Sequence, residues 1–170
     1  MSSANSIVNY INSQSTGANC LSGARLGDPI THFSLFSHGL DSNGGIIPLA
    51  FNYEGGHNTD AGKLLTLSII HIGSIKLGSF SDNVVSYFYS CNTGTAGKQS
   101  FAQQWANVSG GVTYAFSGGS SYKKVSDNSL FAKIMRQINP LIFGGNTRLP
   151  VAGDNGYLRT FFPQISGPWY

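Results

Sequence analysis

The sequence predicts an α/β domain built on a mainly parallel sheet. Short β-prone runs over 30–36, 84–89 and 112–116 alternate with segments of helical periodicity over 98–108 and 129–138, an order that produces parallel strands covered by helices. The chain has 170 residues of which 41% are hydrophobic, enough for one core and too little for a second domain. Two candidate reactive residues each follow directly on a β-prone run, where an open α/β sheet collects its functional groups.

Residues 2–14 place Ile7, Val8, Tyr10 and Ile11 at roughly helical spacing, with Ser3 or Asn5 as candidate caps, and predict a short helix. Residues 15–29 are crowded with turn formers and end in Asp28-Pro29, which predicts a loop. Ile30–Phe36, bounded by Pro29 and by Ser37-His38-Gly39, reads as a buried strand ending at a His-Gly turn. The run 46–51, introduced by Gly44-Gly45, and the run 64–67 are candidates for a small hairpin. Over 68–77, Ile69, Ile72, Ile75 and Lys76 recur at helix-like intervals, against Gly73 and β-branched neighbours that oppose a helix.

Asp82-Asn83 is expected to turn the chain into a second buried strand over 84–89, which stops at Ser90-Cys91-Asn92-Thr93-Gly94. Phe101, Ala102, Trp105 and Val108 make 98–108 the clearest helix, closed by Gly110-Gly111. A third strand over 112–116 runs into Ser117-Gly118-Gly119-Ser120-Ser121. Leu130, Phe131, Ile134 and Ile138 give residues 129–138 an amphipathic helical pattern that Asn139-Pro140 ends. From Leu141 onward the chain is a tail rich in Gly, Pro and aromatics, expected to tie back onto its own domain. No internal repeat or linker divides the sequence.

Composition excludes several functions. With 10 basic and 7 acidic residues the formal net charge is +3, and Lys123-Lys124 is the only adjacent pair of cations; no stripe is available to neutralise a phosphate backbone, so no nucleic-acid partner is expected. The longest apolar stretches, 64–72 and 84–89, fall far short of the roughly 20 residues that span a bilayer. The first residues lack a secretory signal. Cys20 and Cys91 read as free thiols, with a single bridge as the alternative.

His32, His57 and His71 have no metal-ligand spacing, and Glu54 is the only glutamate; neither a metal nor a cofactor is expected. Phosphate-loop, dinucleotide and serine-elbow motifs are absent despite 22 glycines. Asn107-Val108-Ser109 fits a glycosylation pattern and reads instead as a helix end.

His38 and Cys91 remain. A cysteine nucleophile needs a proton carrier nearby, and imidazole serves as base for the thiol or as acid for a leaving amine. A glycine beside the site lets the chain turn sharply and aim an N–H at a developing oxyanion; Gly39, with the Cys91 amide, is the candidate. The competing reading is an inert cysteine at a strand end beside an ordinary His-Gly pair.

Phe33-Ser34-Leu35-Phe36-Ser37-His38-Gly39 resembles the strand and His-Gly turn of the caspase-like cysteine peptidases, and Val85-Ser86-Tyr87-Phe88-Tyr89-Ser90-Cys91 resembles their cysteine strand. His38 and Cys91 lie 53 positions apart, close to the separation of about 50 in caspases. The turn Ser90-Cys91-Asn92-Thr93-Gly94 is most similar to the CHAT branch, bacterial relatives of caspases and separases. The resemblance extends through Ser100-Phe101-Ala102-Gln103-Gln104-Trp105-Ala106 and Gly111-Val112-Thr113-Tyr114-Ala115-Phe116-Ser117-Gly118 and covers residues 30–122. Residues 1–29 and 123–170 flank it as a helix with its loop and as a helix with an aromatic tail. The Gln-Ala-Cys-x-Gly signature of caspases is absent, and Ser90 stands where the family has alanine.

The resemblance implies a three-layer sandwich with helices on both faces of the sheet, and a cysteine endopeptidase acting on a protein or peptide. In the implied mechanism Cys91 attacks the carbonyl, His38 protonates the departing amine, and the Gly39 and Cys91 amides hold the oxyanion. Ser117, Gly118 and Ser120 are the implied substrate-binding residues, with Asp41, Asp127, Lys123 and Lys124 as candidates for setting pocket charge. Such domains often sit in larger bacterial proteins, and the charge-poor composition and abrupt start suit an effector or toxin domain delivered by a larger protein. Two alternatives stay open: a binding module that keeps the caspase-like shell around an unreactive Cys91, and a thiol acyltransferase or amidase with a non-protein substrate. Oligomeric state is not encoded in any motif.

Overall fold

A computed structural model describes residues 4–13, 25, 27–39, 46–47, 66–76, 78–121, 151–153 and 155–164. In chain order these form α1 (Ala4–Ser13), β1 (Ile30–Phe36), β2 (His38–Gly39), β3 (Ile46–Ile47), α2 (Ile69–Ile72), β4 (Phe80–Tyr89), a 3-10 turn (Gly97–Gln99), α3 (Phe101–Ser109), β5 (Val112–Ser117), β6 (Ser120–Ser121), β7 (Val151–Ala152) and β8 (Tyr157–Phe161). The chain is α/β. Four strands in the order β1-β4-β5-β8 make the main sheet; β1 and β5 run parallel to β4, and β8 is antiparallel to β5. Two small pairs, β2 with β3 and β6 with β7, stand beside it.

Alternation along β4 shows how the sheet divides its faces. Val84, Ser86 and Phe88 are buried, and Val85, Tyr87 and Tyr89 between them are half-buried. The buried set joins residues of α1, α2 and α3 in one apolar cluster that includes Ile7, Ile11, Ile72, Phe101, Trp105 and Ala115. Trp105 is its centre: the ring is fully buried, lies within 4.7 Å of Phe33 and 5.0 Å of Phe88, and its Nε1–H donates to Ser86 Oγ at 2.9 Å. The other face carries a row of stacked rings, with Phe36 4.5 Å from Tyr89 and Tyr87 4.8 Å from Tyr114. The amphipathic segment 129–138 lies outside the described residues.

Helix ends follow capping chemistry. Ser100 Oγ accepts from the Gln103 amide at 3.1 Å to start α3, and Gly110 ends it in the left-handed region. At the other end of the cluster the buried Arg25 donates from Nε and Nη2 to the Tyr10 carbonyl, one of the last carbonyls of α1 that the helix itself leaves unpaired.

Several expectations need correction. Among the described residues β4 alone pairs with Ile30–Phe36 in the main sheet, which puts this strand at the edge there, and Thr31, His32 and Ser34 are exposed rather than buried. Asp82-Asn83 does not turn the chain: β4 begins at Phe80 and absorbs the extra residues in a register shift opposite Ile30 and His32. Over 68–77 only one helical turn forms, α2, since Gly73 and the β-branched run favour nothing longer. Ile46–Ile47 pairs with His38–Gly39; the rest of the expected hairpin, 48–51 with 64–65, lies outside the described residues. The helix over 98–108 is divided into a 3-10 turn and α3, because Ser100 takes the extended cap conformation. The tail contributes two strands, and Gln103 Nε2–H donates to the Phe162 carbonyl at 2.8 Å, tying it back as expected.

Candidate active site

Parallel pairing of β1 with β4 sets Phe36 opposite Tyr89, so the next residues of both strands emerge side by side at the carboxyl edge of the sheet. Ser37 Oγ and Ser90 Oγ lie 2.8 Å apart and bond the two turns together. One residue further, the chains touch. His38–Gly39 is the short strand β2, paired with Ile46–Ile47, where the sequence suggested a turn; a Cβ at Gly39 would lie 1.6 Å from the Cys91 carbonyl oxygen and 2.5 Å from its carbon, so only glycine allows this strand to rest on the cysteine peptide. His38 is exposed and Cys91 partly so, and the thiol is free. The His38 ring does not hydrogen-bond the Cys91 sulfur; the sulfur instead receives the Ser120 N–H at 3.2 Å and lies 3.4 Å from its hydroxyl.

The cysteine turn is built from backbone. Asn92 takes a left-handed conformation with φ of 60°, which asparagine tolerates better than most residues, and its N–H donates to the Gly118 carbonyl at 2.8 Å. Buried Thr93 donates from its hydroxyl to the Ser90 carbonyl, and its own carbonyl receives the Ala102 N–H at the head of α3. Ser117 is buried and its hydroxyl donates to the Gly94 carbonyl at 2.8 Å, bracing the turn. Gly118 donates its N–H to Thr95 Oγ1 at 3.1 Å. Thus the sheet brings His38, Gly39 and Cys91 to one edge, and the segment after β5 brings Gly118 and Ser120 against the cysteine turn. Asp41, Asp127, Lys123 and Lys124 lie outside the described residues, as do Cys20 and His57.

Sequence reading missed the Ser37–Ser90 hydroxyl pair and the approach of the Ser120 amide. The first had a signal, a serine just before each reactive residue; the second is main-chain chemistry and leaves none.

The remaining histidines serve elsewhere. His71 Nδ1 accepts from the Ser68 N–H at 3.1 Å in the cap of α2, and burial lowers its pKa from the ordinary 6.5. His32 is exposed beside Thr31. Tyr89, two residues before the cysteine, has its pKa raised by burial and by the neighbouring Tyr87. Among the described residues no three His, Cys, Asp or Glu side chains converge as metal ligands, and no helix is long and apolar enough to cross a membrane. Comparison of the chain with protein-family models, with curated proteins and with solved structures gives no match.

Proposed function

We propose that this chain is a caspase-like cysteine endopeptidase that uses Cys91 as nucleophile and His38 as acid and base. The observation that carries the reading is the contact of the Gly39 backbone with the Cys91 peptide. It joins the two strand-end turns at one edge of adjacent parallel strands, the place where the fold class concentrates chemistry. The finer architecture, a three-layer sandwich with helices on both faces of the sheet, belongs to the same proposal.

In the reaction, the Cys91 thiol gives up its proton to the His38 imidazole by way of solvent, the thiolate sulfur forms a bond to the substrate carbonyl carbon, and the carbonyl oxygen takes the negative charge between the Gly39 and Cys91 N–H groups. The carbon–nitrogen bond then breaks as His38 gives a proton to the departing amine. Water, giving its proton back to His38, attacks the thioester and releases the acid and the free sulfur. Of the implied substrate-binding residues, Gly118 and Ser120 form the substrate side of the site, and Ser117, buried with its hydroxyl on the Gly94 carbonyl, supports them from within; the reading extends to an effector or toxin domain of a larger bacterial protein.

The test is labelling with a peptide-like thiol electrophile at neutral pH, followed by a peptide-library cleavage screen on wild type, Cys91→Ala and His38→Ala. Site-mapped modification of Cys91, with cleavage lost in Cys91→Ala and reduced about 10²–10⁴-fold in His38→Ala, is expected. Cleavage that survives Cys91→Ala overturns Cys91 as the nucleophile, and a Cys91 that stays unlabelled in the folded chain overturns the enzyme and favours a binding module.

A further inference from the structure

The Cys91 sulfur meets Ser120 through three atoms: the N–H at 3.2 Å, the hydroxyl at 3.4 Å and the carbonyl oxygen at 3.7 Å. Of these, the N–H belongs to a peptide whose direction is fixed from behind. The same peptide unit carries the Gly119 carbonyl, and that oxygen accepts the Gly153 N–H at 2.9 Å. In a trans peptide the two groups point in opposite directions, so holding the oxygen on residue 153 aims the N–H at the sulfur.

The surroundings leave the peptide little freedom. Gly118, at φ of 75°, gives its carbonyl to Asn92 of the cysteine turn. A Cβ there would fall 2.3 Å from the Asn155 carbonyl oxygen, and a Cβ at Gly156 would fall 1.9 Å from the Gly119 oxygen itself. Ser120 also pairs with Ala152 in the β6–β7 ladder. Backbone of the C-terminal segment therefore grips the strand-end turn on one side while the turn touches the cysteine on the other.

We propose that the Ser120 backbone amide, oriented by Ala152, Gly153, Asn155 and Gly156, is a positioning group for the Cys91 nucleophile, and that the Ser120 side chain is dispensable for this role. An N–H fixed on sulfur interacts more strongly as negative charge gathers there and needs no rearrangement at the moment of attack. This assigns a task to the C-terminal strands, which the family resemblance over 30–122 does not reach. The inference rests on reading Cys91 as the nucleophile, and its test is independent of peptide hydrolysis.

The experiment is the rate of Cys91 alkylation by iodoacetamide at pH 7 in the full chain, mapped by mass spectrometry, for wild type, Ser120→Ala, Ser120→Pro and Gly156→Ala. Ser120→Ala keeps the N–H and is expected to react much faster than Ser120→Pro. Ser120→Pro removes it, and loss of one hydrogen bond to a charged partner slows alkylation by about tenfold or more. Gly156→Ala displaces the Gly119 carbonyl and slows it in the same direction, with circular dichroism confirming the fold of each variant. In wild type labelled with 15N-serine, alkylation of Cys91 is expected to shift the Ser120 amide resonance and speed its exchange with solvent, a readout that needs no proline variant.

A Ser120→Ala variant as slow as a folded Ser120→Pro, a folded proline variant as fast as wild type, or an amide resonance indifferent to alkylation overturns the proposal. Failure of the cleavage screen with this alkylation pattern intact overturns the peptidase reading alone.

Discussion

Replacing Gly39 by alanine tests the contact on which the site depends. The added methyl would lie 1.6 Å from the Cys91 carbonyl oxygen, 2.5 Å from the carbonyl carbon and 2.8 Å from the nitrogen, where ordinary contact begins at 3.4 Å. All three obstacles are backbone, so no rotamer relieves the clash, and the two turns must separate by more than an ångström. The cysteine turn is held by Gly118, Phe116 and Ala102 through main-chain bonds, so the displacement falls on the His-Gly turn and its two-residue pairing with Ile46–Ile47. Overpacking of this kind costs about 1–3 kcal/mol, and displacing a catalytic group by about 1 Å costs about a hundredfold in rate. The expected result is a folded protein with a lower urea midpoint, cleavage down by about two orders of magnitude, and loss of the Ser37–Ser90 hydroxyl bond in its structure. Full activity and unchanged stability in Gly39→Ala would refute the backbone contact and the site built on it.

Trp105→Phe is expected to destabilise the chain by about 2–4 kcal/mol in urea unfolding, because it leaves a void and strips the buried Ser86 hydroxyl of its donor. Adding Ser86→Ala should recover part of that loss, and an additive double variant would exclude the coupling. Thr113 Oγ1 is buried with no hydrogen-bond partner, so Thr113→Val, which keeps the shape, is expected to be neutral or stabilising by up to about 1 kcal/mol; a clear loss would reveal a partner for the hydroxyl. His71 has a pKa lowered from 6.5 by burial, so as pH falls through that value the unfolded chain takes the proton first and stability declines. Stability measured between neutral and mildly acidic pH should therefore drop in wild type and stay flatter in His71→Gln, the drop being small because the ring is partly exposed.

Local pattern carried much of the fold. Ile30–Phe36 forms the strand its bounds suggest, α3 occupies the clearest amphipathic run, and β5 exceeds its expected span by Ser117 alone. These are the segments whose periodicity and punctuation agree. Position in the sheet was not legible: β1 has an apolar run suited to a centre strand, yet lies at an edge where Thr31, His32 and Ser34 face solvent. The strand β8 escaped notice because Phe161 alone of its residues is buried, which leaves no alternation to read. Strands of two residues, β2, β3, β6 and β7, have no period at all.

The sequence by itself determined the candidate reactive residues and that they follow strands: a histidine before a glycine and a cysteine before an asparagine, both after β-prone runs. Side-chain identity and local periodicity are written residue by residue, and a parallel pair of strands then sends both turns to one edge. Only the tertiary structure decided that Gly39 rests on the Cys91 peptide and that the Ser120 amide, 29 residues downstream, reaches the sulfur. Those contacts are made by backbone, and since nearly every residue owns the same N–H and C=O, their meeting is set by how distant segments pack rather than by which letters the segments contain.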